Sequence, residues 1–452
     1  MSRGLRVLRL ILLVMPSLCR QTFAEPVAES DDRFLERVQH AAFNYFWTEA
    51  NVANGLIRDR SREDSKCSIA AVGFGLSAMV IGVEHGWITR EAGCVRVART
   101  LETLASGPQG SGEVDVNGYR GWFYHFLEMD TGLRAWQCEL SSIDTALLLA
   151  GVLDAGGYFD RENAEEERVR RLSKGLVDRV DWTWMADGGS TFSMGWHPEK
   201  GFLKSRWVGY NEAMILYLLA LGADGGEDAG AVATGRKPSP TSAIRWEGWT
   251  KGYRWATNFS QAYVEFAPLF GHQYSHCWVD FRGIADPYMQ SKGLTYFENS
   301  RRATLAQQAY CVAQAPRHRN YGPLEWGLTA CDGPDGYSAR GGPPEENDDG
   351  TLAPTAVGGS LPFAPEICLP TLRAWDRKYR DRLWGPYGFR DSFNIGRNWW
   401  AADTLGIDQG PILLMAENHR TGATWRRMMM NTVIRRGLDR AGFRAFHERQ
   451  GL

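Results

Sequence analysis

Residues 68–83 read SIAAVGFGLSAMVIGV, and this stretch decides the fold class because it is apolar on every side of a helix. A helix of that kind must be enclosed by other helices. Two more stretches repeat the pattern, SSIDTALLLAGVLDAGGYF at 141–159 and YNEAMILYLLAL at 210–221. The sequence therefore predicts several buried helices that need a surrounding layer.

Charged, amphipathic stretches alternate with the buried ones, and such helices can keep one wet face. We predict six buried helices, over 68–83, 141–159, 210–221, 271–281, 361–372 and 408–417. We predict charged helices over 31–50, 89–105, 165–180, 242–255, 294–315, 373–382 and 424–438. A strand is the alternative at 271–281. The alternation favours an all-α (α/α)6 toroid, with six inner and six outer helices, over an irregular α-fold.

The first 24 residues predict a secretory signal peptide. Three arginines precede a short apolar run at residues 10–18, and the segment ends on Ala24. The run is too short for a membrane-spanning helix, which needs about 20 residues. We expect a signal peptide over 1–24, a single domain over 25–452, and a periplasmic or secreted protein. Lipid attachment at Cys19 is the alternative.

Composition narrows the possible partners. The net charge is −2, and this balance argues against nucleic acid as the partner, because nucleic acid binding wants a basic face. No other run is long and apolar enough to span a membrane. The seven cysteines after Cys19 show no CxxC spacing, and the glycine-rich stretch 222–236 has no phosphate-binding frame. We predict that the protein binds no metal and no cofactor. One disulfide bond is an open alternative, and the sequence does not indicate which cysteines would form it.

Long loops rich in tryptophan follow the predicted outer helices. If the helices alternate as predicted, these loops emerge at one end, at 51–67, 106–140, 181–209, 258–270, 316–360 and 384–407. Ten of the 18 tryptophans lie in them. Rings beside polar groups suit sugars, because apolar sugar faces stack on rings while hydroxyl groups need hydrogen bonds. The alternative, expected for about half of the rings, is that they only pack the loops together.

Carboxylates at the starts of the inner helices are the candidate catalytic groups. Glycoside hydrolysis needs two carboxyl groups, one protonated and one ionised. Glu139 and Asp144 lie at the start of one buried helix, and Glu212 at the start of the next. An apolar helix follows Glu212, so we expect burial to raise its pKa toward that of a general acid. The alternative for Asp144 is that its carboxylate only stabilises the N-terminus of its helix through the helix dipole. Glu366 and Asp408 look like residues that begin a helix.

Further side chains on the same face are candidate sugar contacts. We predict that substrate touches Trp122, Tyr124, His125, Trp196, Trp207, Tyr210, Asn211, His272, His276, Asp332 and Tyr387. The spacing of His272 and His276 suits a zinc protease, but Gln273 stands where that site needs glutamate. The paired serines at 141 and 142 lack the GxSxG frame of a serine nucleophile.

Eleven stretches together resemble one known family. They are AAFNYFW, SIAAVGFGL, FYHFLEMDTGLRAW, ELSSIDTALLLAG, GYNEAMILYLLALG, PLFGHQYSHCWVDFRG, YFENSRRATLAQQAYC, WGLTACDGPDGY, DDGTLAPTAVGGSLPFAPE, LWGPYGFRDSFN and LGIDQGPILLMAEN. From about residue 31 to 425 the chain resembles the bacterial glucoamylase-like domain. That group includes the endo-β-1,2-glucanases of glycoside hydrolase family 144 and the C-terminal region of cyclic β-1,2-glucan synthases.

The resemblance implies an (α/α)6 barrel, a β-glucan substrate with β-1,2 linkage, and inversion at the anomeric carbon. It also implies Glu212 as the proton donor, with Glu139 and Asp144 nearby, and leaves open which of these two acts with Glu212. We therefore predict an exported glycoside hydrolase that cleaves internal bonds of β-1,2-glucan. A transglycosylase and a non-catalytic glucan-binding protein remain the alternatives. Nothing in the sequence resembles a glycosyltransferase.

Overall fold

Helices dominate the computed structural model, which describes Met1 and residues 29–223, 244–344 and 346–447. Apart from Met1, the predicted signal peptide lies outside these residues. Within them the helices are α1 (Asp31–Thr48), α2 (Ile69–Glu84), α3 (Arg90–Ser106), α4 (Ser142–Tyr158), α5 (Ala164–Asp178), α6 (Trp182–Met185), α7 (Met214–Gly222), α8 (Trp246–Thr250), α9 (Pro287–Lys292), α10 (Tyr296–Ala313), α11 (Pro354–Gly358), α12 (Pro365–Leu383), α13 (Gly406–Arg420), α14 (Ala423–Met430) and α15 (Thr432–Arg440).

Short strands lie mainly in the loops that the sequence predicts to be long. They are β1 (Cys67–Ser68), β2 (Gly118–Tyr119), β3 (Trp122–Phe123), β4 (Phe126–Leu127), β5 (Leu140–Ser141), β6 (Gly195–His197), β7 (Gly201–Phe202), β8 (Trp255–Asn258), β9 (Gln261–Val264), β10 (Ile284–Ala285), β11 (Ala330–Cys331), β12 (Ser338–Ala339), β13 (Trp384–Gly385), β14 (Gly388–Phe389), β15 (Phe393–Asn394), β16 (Trp399–Trp400) and β17 (Arg444–Ala445). All pairs are antiparallel, and β5, β6 and β7 form a three-stranded ladder. These ladders hold the long loops by backbone hydrogen bonds.

An inner layer of buried elements forms the centre of the fold. Helix α2 packs against α4, α4 against α7, and α13 against α2. Two 3₁₀ turns, Leu269–His272 and Tyr274–Cys277, lie between α7 and α13, and the short helix α11 packs beside α13. The inner layer therefore closes on itself.

The contact between α2 and α4 depends on two glycines. A Cβ atom on Gly151 would lie 1.9 Å from the carbonyl oxygen of Gly73, and one on Gly73 would lie 2.3 Å from that of Leu147. Both distances are far below van der Waals contact, so only glycine lets the two backbones approach this closely. The abundance of glycine in these apolar helices thus has a packing reason.

An outer layer of amphipathic helices covers the inner one. Helix α1 packs on α2 and α13, α3 on α5, α12 on α11, and α15 on α7. Thr89 caps α3 as expected, since its hydroxyl accepts the backbone N–H of Ala92 at 3.1 Å. The prediction of an all-α toroid with one inner and one outer layer is confirmed.

Three predicted helix boundaries are wrong. Residues 361–372 and 373–382 belong to one helix, α12, because the buried stripe through Cys368, Leu372 and Trp375 continues across both. The inner position is taken instead by α11. The described part of 242–255 contains only α8, and 424–438 divides at Asn431, whose side chain caps α15.

The inner element predicted at 271–281 is neither an α-helix nor a strand, but the two 3₁₀ turns. Seven cysteines lie in the described ranges, and all seven are free thiols. No helix there combines the length and apolar character needed to cross a membrane.

Candidate active site

Glu212 lies in a turn directly before α7, not in the first helical turn as the sequence predicts. The helix begins at Met214. Ser275, from the second 3₁₀ turn, holds this segment, because its hydroxyl donates to the carbonyl of Glu212 and accepts the N–H of Ile215, both at 3.0 Å. The Asn211 side chain accepts the N–H of Ala213 at 3.0 Å. The backbone of Glu212 is therefore fixed by neighbours on both sides.

The carboxyl group of Glu212 has the environment that favours its protonated form. Its Oε2 atom is buried and has no hydrogen-bond partner. Burial is the main cause that raises the pKa of Glu212 to about 7, and the nearby Asp144 carboxylate adds to the rise. The expectation that burial raises this pKa agrees with the structure.

His125 joins the two other predicted acids. Its Nδ1 atom lies 2.9 Å from Glu139 Oε1, and its Nε2 atom lies 3.5 Å from Asp144 Oδ1. The hydroxyl of Ser141 donates to Asp144 at 2.5 Å and also caps α4. The structure thus brings His125, Glu139 and Asp144 together at the start of α4. The sequence predicts this position for the two acids.

Electrostatics within this group favour an ionised Glu139 and a protonated imidazole. Burial opposes the charged form of His125, but Asp144 and Glu139 outweigh it and raise its pKa to about 9. Burial also opposes the charged form of Glu139, but the bond to His125 outweighs it and lowers the pKa of Glu139. At neutral pH this side of the site holds an imidazolium between carboxylates.

A second acidic group contains Asp391, which the sequence analysis does not single out. Asp391 and Asp408 are 1% and 2% exposed, and their carboxyl groups are near enough to influence each other's pKa. Asp391 also accepts the N–H of Asp332 at 2.7 Å and the hydroxyl of Ser392 at 3.0 Å. Burial, and then the charge of Asp391, raise the pKa of Asp408 well above its ordinary value, which favours a protonated Asp408.

Arg60 supplies a positive charge beside this second group. It contacts Asp332 at 2.9 Å and Asp59 at 3.3 Å. Asp408 does start a helix, α13, as the sequence predicts. The signal for Asp391 in the sequence is a carboxylate with a phenylalanine two positions away on each side, in GFRDSF, on one of the long loops rich in aromatic residues.

Tyr274 connects the two groups of acids. Burial first, and then the nearby Asp408, Tyr337 and Glu212, raise the pKa of Tyr274 above its ordinary value. The ring therefore lies near both Asp408 and Glu212. No group of three or more His, Cys, Asp or Glu side chains in the described ranges could hold a metal ion. A protonated carboxyl group near ionised carboxylates can donate a proton to a bound molecule and accept one from it.

The predicted sugar contacts divide into half-buried and enclosed side chains. His125, Trp196 and Asp332 are half-buried beside the acids, and Trp196 pairs with Leu140, next to Glu139. Tyr387 is half-buried elsewhere, and its hydroxyl donates to Glu49, the residue directly after α1, at 2.5 Å. The enclosed side chains, each at most 7% exposed, are Trp122, Tyr124, Trp207, Tyr210, Asn211, His272 and His276.

The enclosed side chains support the site from behind. The indole of Trp207 donates to Ser142 at 2.8 Å, at the start of α4. His272 lies 3.2 Å from the carbonyl of Phe266, and His276 lies 3.2 Å from the hydroxyl of Ser300. Burial lowers the pKa of both histidines to about 3, so both are neutral. In this conformation neither imidazole is placed to touch a sugar.

Comparison with known proteins identifies relatives over nearly the whole chain. The Glycoamylase family model, a glucoamylase family, matches residues 204–432. An exo β-1,2-glucooligosaccharide sophorohydrolase of Parabacteroides distasonis is 30% identical over 445 residues, covering 91% of this chain. The chain spans 58% of the length of that relative.

Two solved structures share the fold. The endo-β-1,2-glucanase of Chitinophaga pinensis, in complex with sophorotriose and glucose, is 28% identical, with a TM-score of 0.81 and coverage of 92% of this chain and 99% of that one. The β-1,2-glucanase of Parabacteroides distasonis is 28% identical, with a TM-score of 0.78 and coverage of 92% and 60%. The family match, which contains Glu212, Asp391 and Asp408, spans half of the chain. The chain therefore belongs to the Glycoamylase family of glucoamylase-like proteins.

Proposed function

We propose that this protein is a glycoside hydrolase that cleaves internal bonds of β-1,2-glucan, with Glu212 as the general acid. The observation that carries the proposal is the buried, unpartnered Oε2 atom of Glu212, with a pKa raised to about 7 beside other carboxylates. A carboxyl group of this kind keeps a proton to donate near neutral pH. The names of the relatives support the β-1,2 linkage.

The proposed reaction is acid–base catalysis without a covalent intermediate. Glu212 donates its proton to the glycosidic oxygen as the bond from that oxygen to the anomeric carbon breaks. The electron pair of the bond leaves with the oxygen, and nearby carboxylates stabilise the positive charge that develops on the sugar. A water molecule attacks the anomeric carbon and gives its proton to a carboxylate base. We expect inversion, which NMR of the first product measures.

The base is one of three carboxylates. The sequence predicts Glu139 or Asp144, and Asp144 is near enough to Glu212 to influence its pKa. Asp391 is a further candidate, because its Oδ1 atom is buried without a hydrogen-bond donor. We propose Asp144 first, since of the three carboxylates it is the one whose charge influences the pKa of Glu212. The variants Asp144→Asn, Glu139→Gln and Asp391→Asn should be compared directly.

A substrate with a good leaving group distinguishes the general acid from the general base. A dinitrophenyl sophoroside needs no proton on its leaving group, so Glu212→Gln should retain activity on it while losing activity on glucan. A base variant should lose activity on both substrates. Equal losses on both for Glu212→Gln would show that Glu212 is not the acid.

A panel of β-1,2-, β-1,3-, β-1,4- and α-linked glucans tests the substrate. We expect turnover only of β-1,2-glucan, with products of many lengths early in the reaction, as in endo-acting cleavage. Sophorose alone from the start would indicate exo action, the activity named for the Parabacteroides relative. Longer or cyclic products would indicate transfer, and binding without turnover would indicate a non-catalytic protein.

We also propose that the chain is exported to the periplasm or the medium. The support is the basic start, the short apolar run at 10–18 and the small residue Ala24. Fractionation of cells that produce the full chain, followed by mass spectrometry of its N-terminus, tests this. An uncleaved protein in the cytoplasm would contradict the proposal.

A further inference from the structure

Trp136 is exposed at the edge of the active site, although tryptophan is among the residues most readily buried. It is 64% exposed, whereas most other tryptophans of the long loops are buried or half-buried. A large apolar ring in water gains nothing from the hydrophobic effect. Packing therefore does not account for tryptophan at this position.

The backbone that carries Trp136 is strained. Trp136 and Gln137 have φ angles of 54° and 55°, so two consecutive L-residues adopt the left-handed conformation. The N–H of Cys138 bonds to the carbonyl of Ala135 at 3.1 Å, which closes a tight turn. Such turns favour asparagine and glycine at the two central positions. Strained positions of this kind concentrate at ligand-binding sites.

Neighbouring side chains hold the turn in place. The guanidinium group of Arg134 donates to the carbonyl of Cys138 at 2.8 Å, and the N–H of Arg134 bonds to the carbonyl of Val116 at 2.8 Å. The ammonium group of Lys66 lies 5.9 Å from the centre of the Trp136 ring and pairs with Glu128 at 2.7 Å. The indole is thus presented to solvent by a fixed frame.

A row of rings connects Trp136 to the predicted acids. The edge of Phe126 contacts Trp136, with ring centres 5.3 Å apart. Phe126 stacks on His125 at 4.0 Å, and His125 is bonded to Glu139 at 2.9 Å. Two rings therefore separate the exposed indole from Glu139, and we take Trp136 as the outer rim of the candidate site.

We propose that Trp136 is a stacking platform for a glucosyl residue of the bound glucan outside the pair of sugars that flank the cleaved bond. The apolar face of the sugar covers the open indole, and Lys66 and Gln137 are close enough along the rim to donate to its hydroxyl groups. The inference rests on the proposed function, because it requires a glucan in the adjacent cleft. It assigns to this rim the binding of longer chains, not the chemical step.

Binding to a catalytically impaired background tests the platform. In Glu212→Gln protein, calorimetry with linear β-1,2-glucan should show about tenfold weaker binding when Trp136→Ala is added, because one sugar face loses its apolar contact. Trp136→Phe should recover part of the loss. The effect should be larger for the polymer than for the trisaccharide, which is too short to reach the rim.

A matched control and a stability measurement keep the result interpretable. Phe259 is also an exposed aromatic residue with positive φ, 48°, on the turn between β8 and β9, and its ring contact is with Tyr310. Phe259→Ala should leave glucan binding unchanged. Trp136→Gly should raise the melting temperature, since glycine relieves the left-handed strain, while weakening binding.

Three outcomes would be decisive against the inference. If Trp136→Ala binds polymer as tightly as the parent protein, the platform is overturned while the proposed function stands. If the parent protein binds no glucan of any linkage, the proposed function fails and the platform fails with it. An equal loss for Phe259→Ala and Trp136→Ala would also overturn the platform, because the effect would then not be specific to the rim.

Discussion

Replacing Glu212 by glutamine should make the protein more stable and nearly inactive. Glutamine keeps the shape of the side chain but cannot ionise. In the folded protein burial raises the pKa of Glu212 from 4.5 to about 7. Each tenfold change in an ionisation equilibrium is worth about 1.4 kcal/mol. An ionised Glu212 therefore costs the folded state about 3 kcal/mol, an upper figure because the side chain is only half-buried and water screens part of the charge.

The gain in stability should depend on pH in a defined direction. Below pH 4.5 Glu212 is protonated in both the folded and the unfolded chain, so wild type and variant should be equally stable. Between pH 4.5 and 7 the unfolded chain loses the proton while the folded protein keeps it, and wild type loses stability relative to the variant. Above pH 7 the difference should stay constant.

Urea unfolding at pH 4.5, 6 and 8 measures this difference, and initial rates on glucan measure the activity. We expect glutamine to lower the rate by about 10²–10⁴-fold, the usual contribution of a general acid. The wild-type rate should fall as the pH rises through about 7, where Glu212 loses its proton. A stability difference that does not change with pH would refute the assigned pKa. Activity within a few-fold of wild type would refute the role of Glu212.

Two further predictions concern the imidazole and the inner helices. His125→Gln removes the positive charge beside Glu139, so the pKa of Glu139 should rise, which NMR titration of its side-chain carboxyl carbon measures; an unchanged pKa would contradict this. Gly151→Ala should destabilise the fold by about 3 kcal/mol, because its Cβ would meet the backbone of Gly73 at 1.9 Å. Gly175→Ala is the control, since no atom lies within 4 Å of its added methyl group, and it should stabilise the protein by about 0.5–1 kcal/mol in urea unfolding.

Local patterns in the sequence predict the inner helices well. The apolar stretch at 68–83 is found as α2, Ile69–Glu84, and the stretch at 141–159 as α4, Ser142–Tyr158. An all-round apolar helix has one stable environment, the interior, so the pattern alone indicates its layer. Where the pattern is weaker, as at 361–382, the helix boundaries are wrong because a change from apolar to charged residues does not end a helix.

The candidate acids at helix starts are local as well. Glu139 and Asp144 are close in the chain and lie together in the fold, and the apolar run behind Glu212 correctly indicates burial. The enclosed histidines show the limit of such reasoning. His272 and His276 occur among polar and aromatic residues in the sequence, yet tertiary packing leaves them 0% and 1% exposed. A side chain's exposure depends on elements that are distant in the chain.

What the sequence by itself determined is the all-α class, the two layers and one carboxyl group, that of Glu212, whose pKa burial raises. The pairing of Asp391 with Asp408, the imidazolium of His125 between Glu139 and Asp144, and the position of Trp136 at the rim were decided only by the tertiary structure. The physical reason is the separation along the chain of the residues involved. The periodicity of burial depends on neighbouring residues, whereas a hydrogen bond or a pKa depends on groups that only folding brings together.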